Sequence, residues 1–132
     1  PGRKVDLTGL FAMMQAETFG GGYRVAPGMH PFGDSSRIVL GFGLSKVQML
    51  FVMGPLEKGK HVGKWGKITM EPCKTFEIRA LDENGEPTLE RGHDPPLYIS
   101  LDGEISITTP VKFDFHPNVL NVRGGHSPPN TE

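Results

Sequence analysis

The pair of carboxylates at Asp102 and Glu104 is the clearest candidate for chemistry in this sequence. Residues two positions apart on an extended strand point to the same face, so both acids could converge on one site. Such a pair can transfer protons or bind a divalent cation. The same two residues flank Gly103, and Asp-Gly between two alternating apolar runs also predicts a tight β-hairpin. The local pattern leaves both interpretations open.

Other reactive side chains are scattered along the chain. Asp34 precedes a predicted strand, where a loop carboxylate could hold Mg²⁺ or Ca²⁺, although a turn-forming Asp is the plainer interpretation. The single Cys73 forms no internal disulfide and, without paired histidine spacing, predicts no zinc site. The Gly triplet at 20–22 lacks the following helix and the Gly-Lys-Ser/Thr ending of a phosphate loop. The histidines, each interpreted as an ordinary surface or loop residue, are His30, His61, His93, His116 and His126.

Composition limits the class of protein. The chain has 132 residues, of which 18 are Gly and 12 are Pro, and a formal net charge of −1. So many helix-breaking residues favour short strands and turns, and the balanced charge argues against a nucleic-acid partner. No apolar run is long enough to cross a bilayer, and no secretory leader is recognisable. We expect one β-rich domain over 1–123 with a flexible tail over 124–132, located in the cytoplasm, with peripheral membrane association as an option.

The apolar pattern predicts a mainly β chain: an antiparallel β-sandwich-like domain with one short helical segment over about 45–59. Ser45 is the predicted N-cap, Pro55 is predicted to interrupt the helix, and Gly59 to end it. Strands are predicted at 10–14, 23–26, 37–43, 66–72, 74–81, 97–101, 104–108, 111–115 and 119–122, with an exposed connection over 82–96. The apolar run at 10–14 also fits a short helix, although a strand is favoured.

One face of the predicted helix has two possible uses. Val47, Leu50, Phe51 and Gly54 share this face at helical spacing. The face could cover the sheet, which is the favoured interpretation, or it could bind a lipid or another apolar partner. The four lysines between 58 and 67 would suit an anionic membrane surface, or they could simply be solvated.

Five short motifs resemble, in order, the second domain of the diacylglycerol and sphingosine lipid kinases. They are GGGYRVAP (20–27), Asp34 ahead of the strand RIVLGF (37–42), EKGKH (57–61), SLDGE (100–104) and FHPNVLNV (115–122). The EKGKH and HPN segments are closer to the sphingosine-kinase-like members. The resemblance implies a β-sandwich-like domain that packs against an N-terminal α/β domain, and it is the N-terminal domain that binds ATP.

The resemblance also implies roles for individual residues. Asp102 would be the general base that takes the proton from a lipid hydroxyl, and Glu104 would support the Mg²⁺–water network around the phosphates. Asp34 would help to hold a structural Mg²⁺, although Ser35 stands where the family usually has Gly and the acidic neighbour is missing.

The family's nucleotide loop, Gly-Gly-Asp-Gly-Thr, does not occur in this chain. We therefore expect the lipid-binding and catalytic-base domain of an ATP-dependent lipid kinase, of the diacylglycerol or sphingosine type, which is inactive as this chain alone. The alternative is a non-catalytic β-rich module that binds a lipid or a protein.

Overall fold

Small antiparallel sheets and one α-helix make up the described part of the chain. The computed structural model describes residues 11–79, 81, 84, 86 and 98–120. The strands are β1 (Phe11–Met14), β2 (Ser36–Gly41), β3 (Ile68–Cys73), β4 (Thr75–Ile78), β5 (Tyr98–Leu101), β6 (Glu104–Thr108) and β7 (Val111–Asp114), and the helix is α1 (Lys46–Glu57). β1, β2 and β3 form one sheet in that order, β4 pairs with β7, and β5 pairs with β6. The predicted mainly β class with one short helix is confirmed.

The core lies between the three-stranded sheet and α1. β2 is the central strand, and its consecutive residues Ile38, Val39 and Leu40 are all buried, as a strand covered on both faces requires. Val52 and Leu56 of α1 join Val39 in one apolar cluster. Burying a side chain of this size contributes roughly 1.5–3 kcal/mol. The other buried members of the cluster are Met14, Val25, Ala26, Met29, Leu44 and Ile68.

Stacked aromatic rings join the β4–β7 sheet to the three-stranded sheet. The ring centroid of Phe76 in β4 lies 5.1 Å from that of Phe11 in β1 and 6.0 Å from that of Phe113 in β7. Phe76 and Phe113 are also direct partners across the two strands. Because each such pair adds about 0.5–1.5 kcal/mol beyond area burial, this row of rings links the two sheets.

The ends of α1 follow the predicted signals. The Ser45 hydroxyl oxygen accepts from the Gln48 amide at 3.2 Å, and the Gln48 side-chain oxygen accepts from the Ser45 amide at 3.0 Å, which makes a reciprocal capping box. At the other end, Gly59 has a φ of +66° and its amide donates to the Leu56 carbonyl at 3.2 Å. The Lys60 amide donates to the Pro55 carbonyl at 2.7 Å, so the last carbonyls of the helix are satisfied by a Schellman motif.

Two local predictions are wrong. Pro55 does not interrupt α1, since the helix continues to Glu57. The predicted strand at 23–26 is a turn region instead: Gly20, Gly21 and Gly22 all have positive φ and bring Phe19 into an isolated bridge with Tyr23. The backbone carbonyl of Glu17 accepts from the Ala26 amide, and its side chain accepts from the Gly28 amide. These hydrogen bonds take the place of a strand ladder.

Several predictions lie wholly or partly outside the described residues. The exposed connection over 82–96 is described only at 84 and 86, and the tail over 124–132 is not described. Of the predicted last strand at 119–122, Val119 and Leu120 lie outside any strand, and the other two residues are not among those described. The predicted end of the domain at 123 is likewise untested.

Candidate functional site

Asp102 lies at the tip of the β5–β6 hairpin, in a two-residue turn. Asp102 and Gly103 have φ angles of +49° and +91°, and Leu101 pairs with Glu104 across the turn. Positive φ at both central residues is the requirement of a type I′ turn, whose twist matches that of the flanking strands. The predicted hairpin is confirmed.

Asp102 and Glu104 are both exposed, but they do not lie two residues apart on one extended strand. Asp102 is in the left-handed region rather than the extended region, so the rule that puts residues two apart on one face does not apply to it and Glu104. Each carboxylate faces solvent. The carboxylate of Asp102 at the hairpin tip can therefore accept a proton or a hydrogen bond from a hydroxyl group of another molecule.

Asp34 is exposed in the loop that precedes β2. In this loop the Gly33 amide donates to the His30 carbonyl at 3.0 Å, and the Phe32 amide donates to His30 Nδ1 at 3.3 Å. No group of three His, Cys, Asp or Glu side chains within the described residues is arranged to hold a metal ion. One carboxylate does not complete a Mg²⁺ site, which takes oxygen ligands in near-octahedral geometry. The described residues alone therefore do not fit the metal implied at Asp34.

The motifs GGGYRVAP and EKGKH, which are far apart in the sequence, contact each other. His61 is fully buried, and its Nε2 lies 3.0 Å from the Val25 carbonyl oxygen. Because a carbonyl can only accept, Nε2 carries the proton and Nδ1 is the bare nitrogen; this Nδ1 is buried without a hydrogen-bond partner. A Cβ added to Gly59 would lie 3.1 Å from Pro27 Cβ and 3.4 Å from Arg24 Cβ. The two motifs form one packed junction.

The sequence predicts an ordinary surface or loop residue at His61; the residue lies in a loop, but it is fully buried rather than at the surface. Burial lowers the pKa of its imidazole, and the hydrogen bond to Val25 opposes this effect. The available signal was Gly59, because a left-handed residue after a helix turns the chain back on itself.

Glu17 is a second residue that the sequence gave no reason to select. Its Oε1 accepts from Arg24 Nη2 at 2.6 Å and from the Gly28 amide at 3.0 Å. The amide hydrogen bond from Gly28, and after it the Arg24 guanidinium, hold the pKa of this carboxyl below its usual value. Glu17 thus fixes the turn that presents the Val25 carbonyl to His61.

The favoured interpretation of the helix face, that it covers the sheet, is wrong. Val52 and Leu56 pack into the core, while Val47, Leu50 and Phe51 are 62%, 73% and 68% exposed. We call the surface formed by Val47, Leu50, Phe51 and Gly54 the outer face of α1. It is an apolar surface directed to solvent, which leaves the second interpretation, binding of a lipid or another apolar partner.

A tight loop after α1 exposes a further aromatic side chain. Trp65 is 45% exposed and has a φ of +53°, and Lys64 Nζ lies 5.6 Å from the centre of its ring. Lys67 Nζ donates to the Gly43 carbonyl at 2.7 Å and to the Gln48 side-chain oxygen at 3.2 Å. Lys67 thereby holds this loop beside the first turn of α1.

Comparison with known proteins gives no family assignment. No family model, no curated protein and no solved structure matches the chain. Within the part of the chain that the structure describes, no helix has the length and apolar character needed to span a membrane.

Proposed function

We propose that this chain is the lipid-binding and catalytic-base domain of an ATP-dependent lipid kinase of the diacylglycerol or sphingosine type. The observation that carries the proposal is the position of Asp102, exposed at a two-residue turn whose backbone conformation is fixed by the hairpin. A general base must reach the hydroxyl of a substrate that is held partly by another domain. An outward-facing turn meets this need better than a side chain within a sheet.

The reaction requires little covalent chemistry from the protein. The lipid hydroxyl oxygen attacks the γ-phosphorus of ATP, the Asp102 carboxylate accepts the hydroxyl proton, and ADP departs as the phosphate ester forms. Glu104, exposed at the start of β6, is the second carboxylate of the proposed site. ATP itself is held mainly by a nucleotide-binding domain that is not part of this chain.

In this proposal the GGGYRVAP and EKGKH motifs have a structural role. The junction of His61 with Val25 is buried, so it cannot contact the substrate, but it joins the end of α1 to the turn that follows the Gly triplet. The order of the five motifs along the chain supports the proposal: GGGYRVAP and EKGKH form the buried junction, and SLDGE presents Asp102.

The test is phosphoryl transfer by the full-length product of the gene, with labelled ATP and diacylglycerol or sphingosine in mixed micelles. We expect Asp102→Asn to lower kcat by about a hundredfold or more, since general-base catalysis is worth that much. The matched control is Asp114→Asn, which changes another exposed Asp, one that accepts from Thr75. Equal activity of Asp102→Asn and the parent, with both folded by circular dichroism, would remove Asp102 from the proposed role.

A non-catalytic module that binds a lipid or a protein is the second candidate. The exposed outer face of α1 favours it, because an apolar helix surface can bind a partner without any reaction. It predicts binding that does not depend on Asp102 and no lipid phosphorylation under any condition. The transfer assay with Asp102→Asn therefore separates the two candidates.

A further inference from the structure

The outer face of α1 is apolar on a helix whose opposite side is already buried in the core. Leu50 and Phe51 are 73% and 68% exposed, and Met49 and Met53 beside them are each more than two-fifths exposed. A helix that is apolar on two sides is normally covered on both. A contiguous exposed patch of this kind marks a surface that binds something.

The charge around this face is strongly asymmetric. Residues 44–67 contain five lysines and a single acid, Glu57, which gives this segment a net charge of +4 in a chain whose formal net charge is −1. The remaining residues are therefore acidic overall. Lys46, Lys58 and Lys60 are exposed, while Lys67 is held by its contacts to α1. Positive charge is thus concentrated on the helix and loop that expose the apolar side chains.

We propose that the outer face of α1, with the lysines of 44–67, docks on the surface of an anionic phospholipid bilayer. Apolar side chains that enter the boundary between headgroups and acyl chains, flanked by lysines, are the features of a helix that lies in the membrane interface. Trp65, on the loop that Lys67 holds beside α1, is of the residue type enriched at that boundary.

A bilayer fits this surface better than a protein partner does. Lysine is depleted in the cores of protein–protein interfaces, whereas each lysine near an anionic bilayer strengthens binding by about fivefold. The inference deepens the proposed function by naming the surface from which the lipid would be taken. It rests on that function only for the identity of the substrate, since the docking itself requires neither ATP nor transfer.

The first arm of the test measures co-sedimentation of the 132-residue chain with vesicles of phosphatidylcholine alone or mixed with phosphatidylserine. The double variant Leu50→Ser/Phe51→Ser should bind the mixed vesicles at least about tenfold more weakly, since burying either side chain is worth that much. The matched control is Phe32→Ser/Leu120→Ser, which removes the same two residue types at positions that are 71% and 81% exposed outside α1. The control should bind as the parent does.

The second arm tests charge. The triple variant Lys46→Gln/Lys58→Gln/Lys60→Gln should lose about fivefold in affinity per lysine for the mixed vesicles, and added salt should weaken the parent in the same direction. Vesicles of phosphatidylcholine alone should bind the parent weakly, because they offer no negative surface.

Three results would overturn the docking proposal. These are no binding to the mixed vesicles, equal binding by Leu50→Ser/Phe51→Ser and the parent, or a stable dimer in light scattering that this double variant dissolves, since a second copy would then cover the face. Asp102→Asn should bind vesicles as the parent does. Loss of transfer in Asp102→Asn with vesicle binding intact supports both proposals, whereas vesicle binding without any transfer in the full-length product removes only the kinase.

Discussion

His61 Nε2 donates a hydrogen bond of 3.0 Å to the carbonyl oxygen of Val25, across 36 residues of sequence and entirely inside the core. This bond joins the chain beyond α1 to the turn after the Gly triplet. The buried site favours the neutral form of the His61 imidazole, because the ring is removed from solvent and its Nδ1 has no hydrogen-bond partner. The junction therefore makes the stability of the fold depend on pH.

We expect the free energy of unfolding to fall as the pH drops below about 6.5, the usual pKa of histidine. Burial lowers the pKa of His61 in the folded chain, so the unfolded chain takes up the proton first and acid favours unfolding. Above the unfolded pKa this contribution is complete and constant; it is lost as the pH falls through the folded pKa. Urea unfolding at several pH values between about 5 and 8 measures the slope.

The variant His61→Gln isolates the effect of the proton. A glutamine amide can still donate to the Val25 carbonyl, but it does not titrate, so the slope between about pH 5 and 6.5 should become shallower. If the parent and His61→Gln keep the same slope in that range, another group is responsible for the pH dependence.

Gly59→Ala should destabilise the fold more than Gly63→Ala. Both glycines have positive φ, +66° and +80°, so each alanine carries a backbone cost of about 1–2 kcal/mol. Only at Gly59 would the new Cβ meet Pro27 and Arg24, at 3.1 and 3.4 Å from their Cβ atoms, whereas Gly63 faces open space. We expect Gly59→Ala to cost about 1 kcal/mol more than its control by urea unfolding. An equal loss of stability in the two variants would mean that Pro27 and Arg24 move aside for the new Cβ at no cost.

The fold class and most element positions were predictable from local signals in the sequence. Asp102-Gly103 predicted the hairpin because two-residue turns need positive φ, and Ser45 predicted the helix start because its hydroxyl can accept a first-turn amide. These signals act within a few residues, so tertiary contacts did not override them.

Predictions that depend on distant contacts were wrong. α1 is apolar on two sides, so its periodicity could not decide which side meets the sheet. The turn at 24–28 is held by Glu17, and the burial of His61 depends on a carbonyl 36 residues away. The contacts of Glu17 have no local signature, and Gly59 indicates only that the chain turns back after α1, not which carbonyl His61 meets.

Glu17→Gln should make the fold less sensitive to strong acid. The Gly28 amide and the Arg24 guanidinium lower the pKa of Glu17, so its contribution to stability is present above its usual pKa and is lost as the pH falls through the lower, folded value. In Glu17→Gln the free energy of unfolding should no longer fall through this group below about pH 4.5. At neutral pH the variant should be less stable than the parent, because the turn loses its ionic contact with Arg24. Glu57→Gln, an exposed change on α1, is the control, and acid unfolding followed by circular dichroism is the measurement. Identical acid profiles for Glu17→Gln and the parent would contradict the role given to Glu17.

Substitutions at Asp102 should separate its part in the turn from its part in the proposed reaction. Asn adopts positive φ readily, so Asp102→Asn should leave the hairpin as stable as in the parent, while Asp102→Ala should cost the hairpin about 1 kcal/mol. A two-stranded sheet is marginal by itself, so the loss should appear as faster hydrogen exchange of the β5 and β6 amides rather than as global unfolding. Faster exchange in Asp102→Asn would show that the carboxylate itself stabilises the turn, and loss of phosphoryl transfer in that variant would then no longer identify a base. Unchanged exchange in Asp102→Asn makes its transfer assay a direct measure of the carboxylate's chemistry.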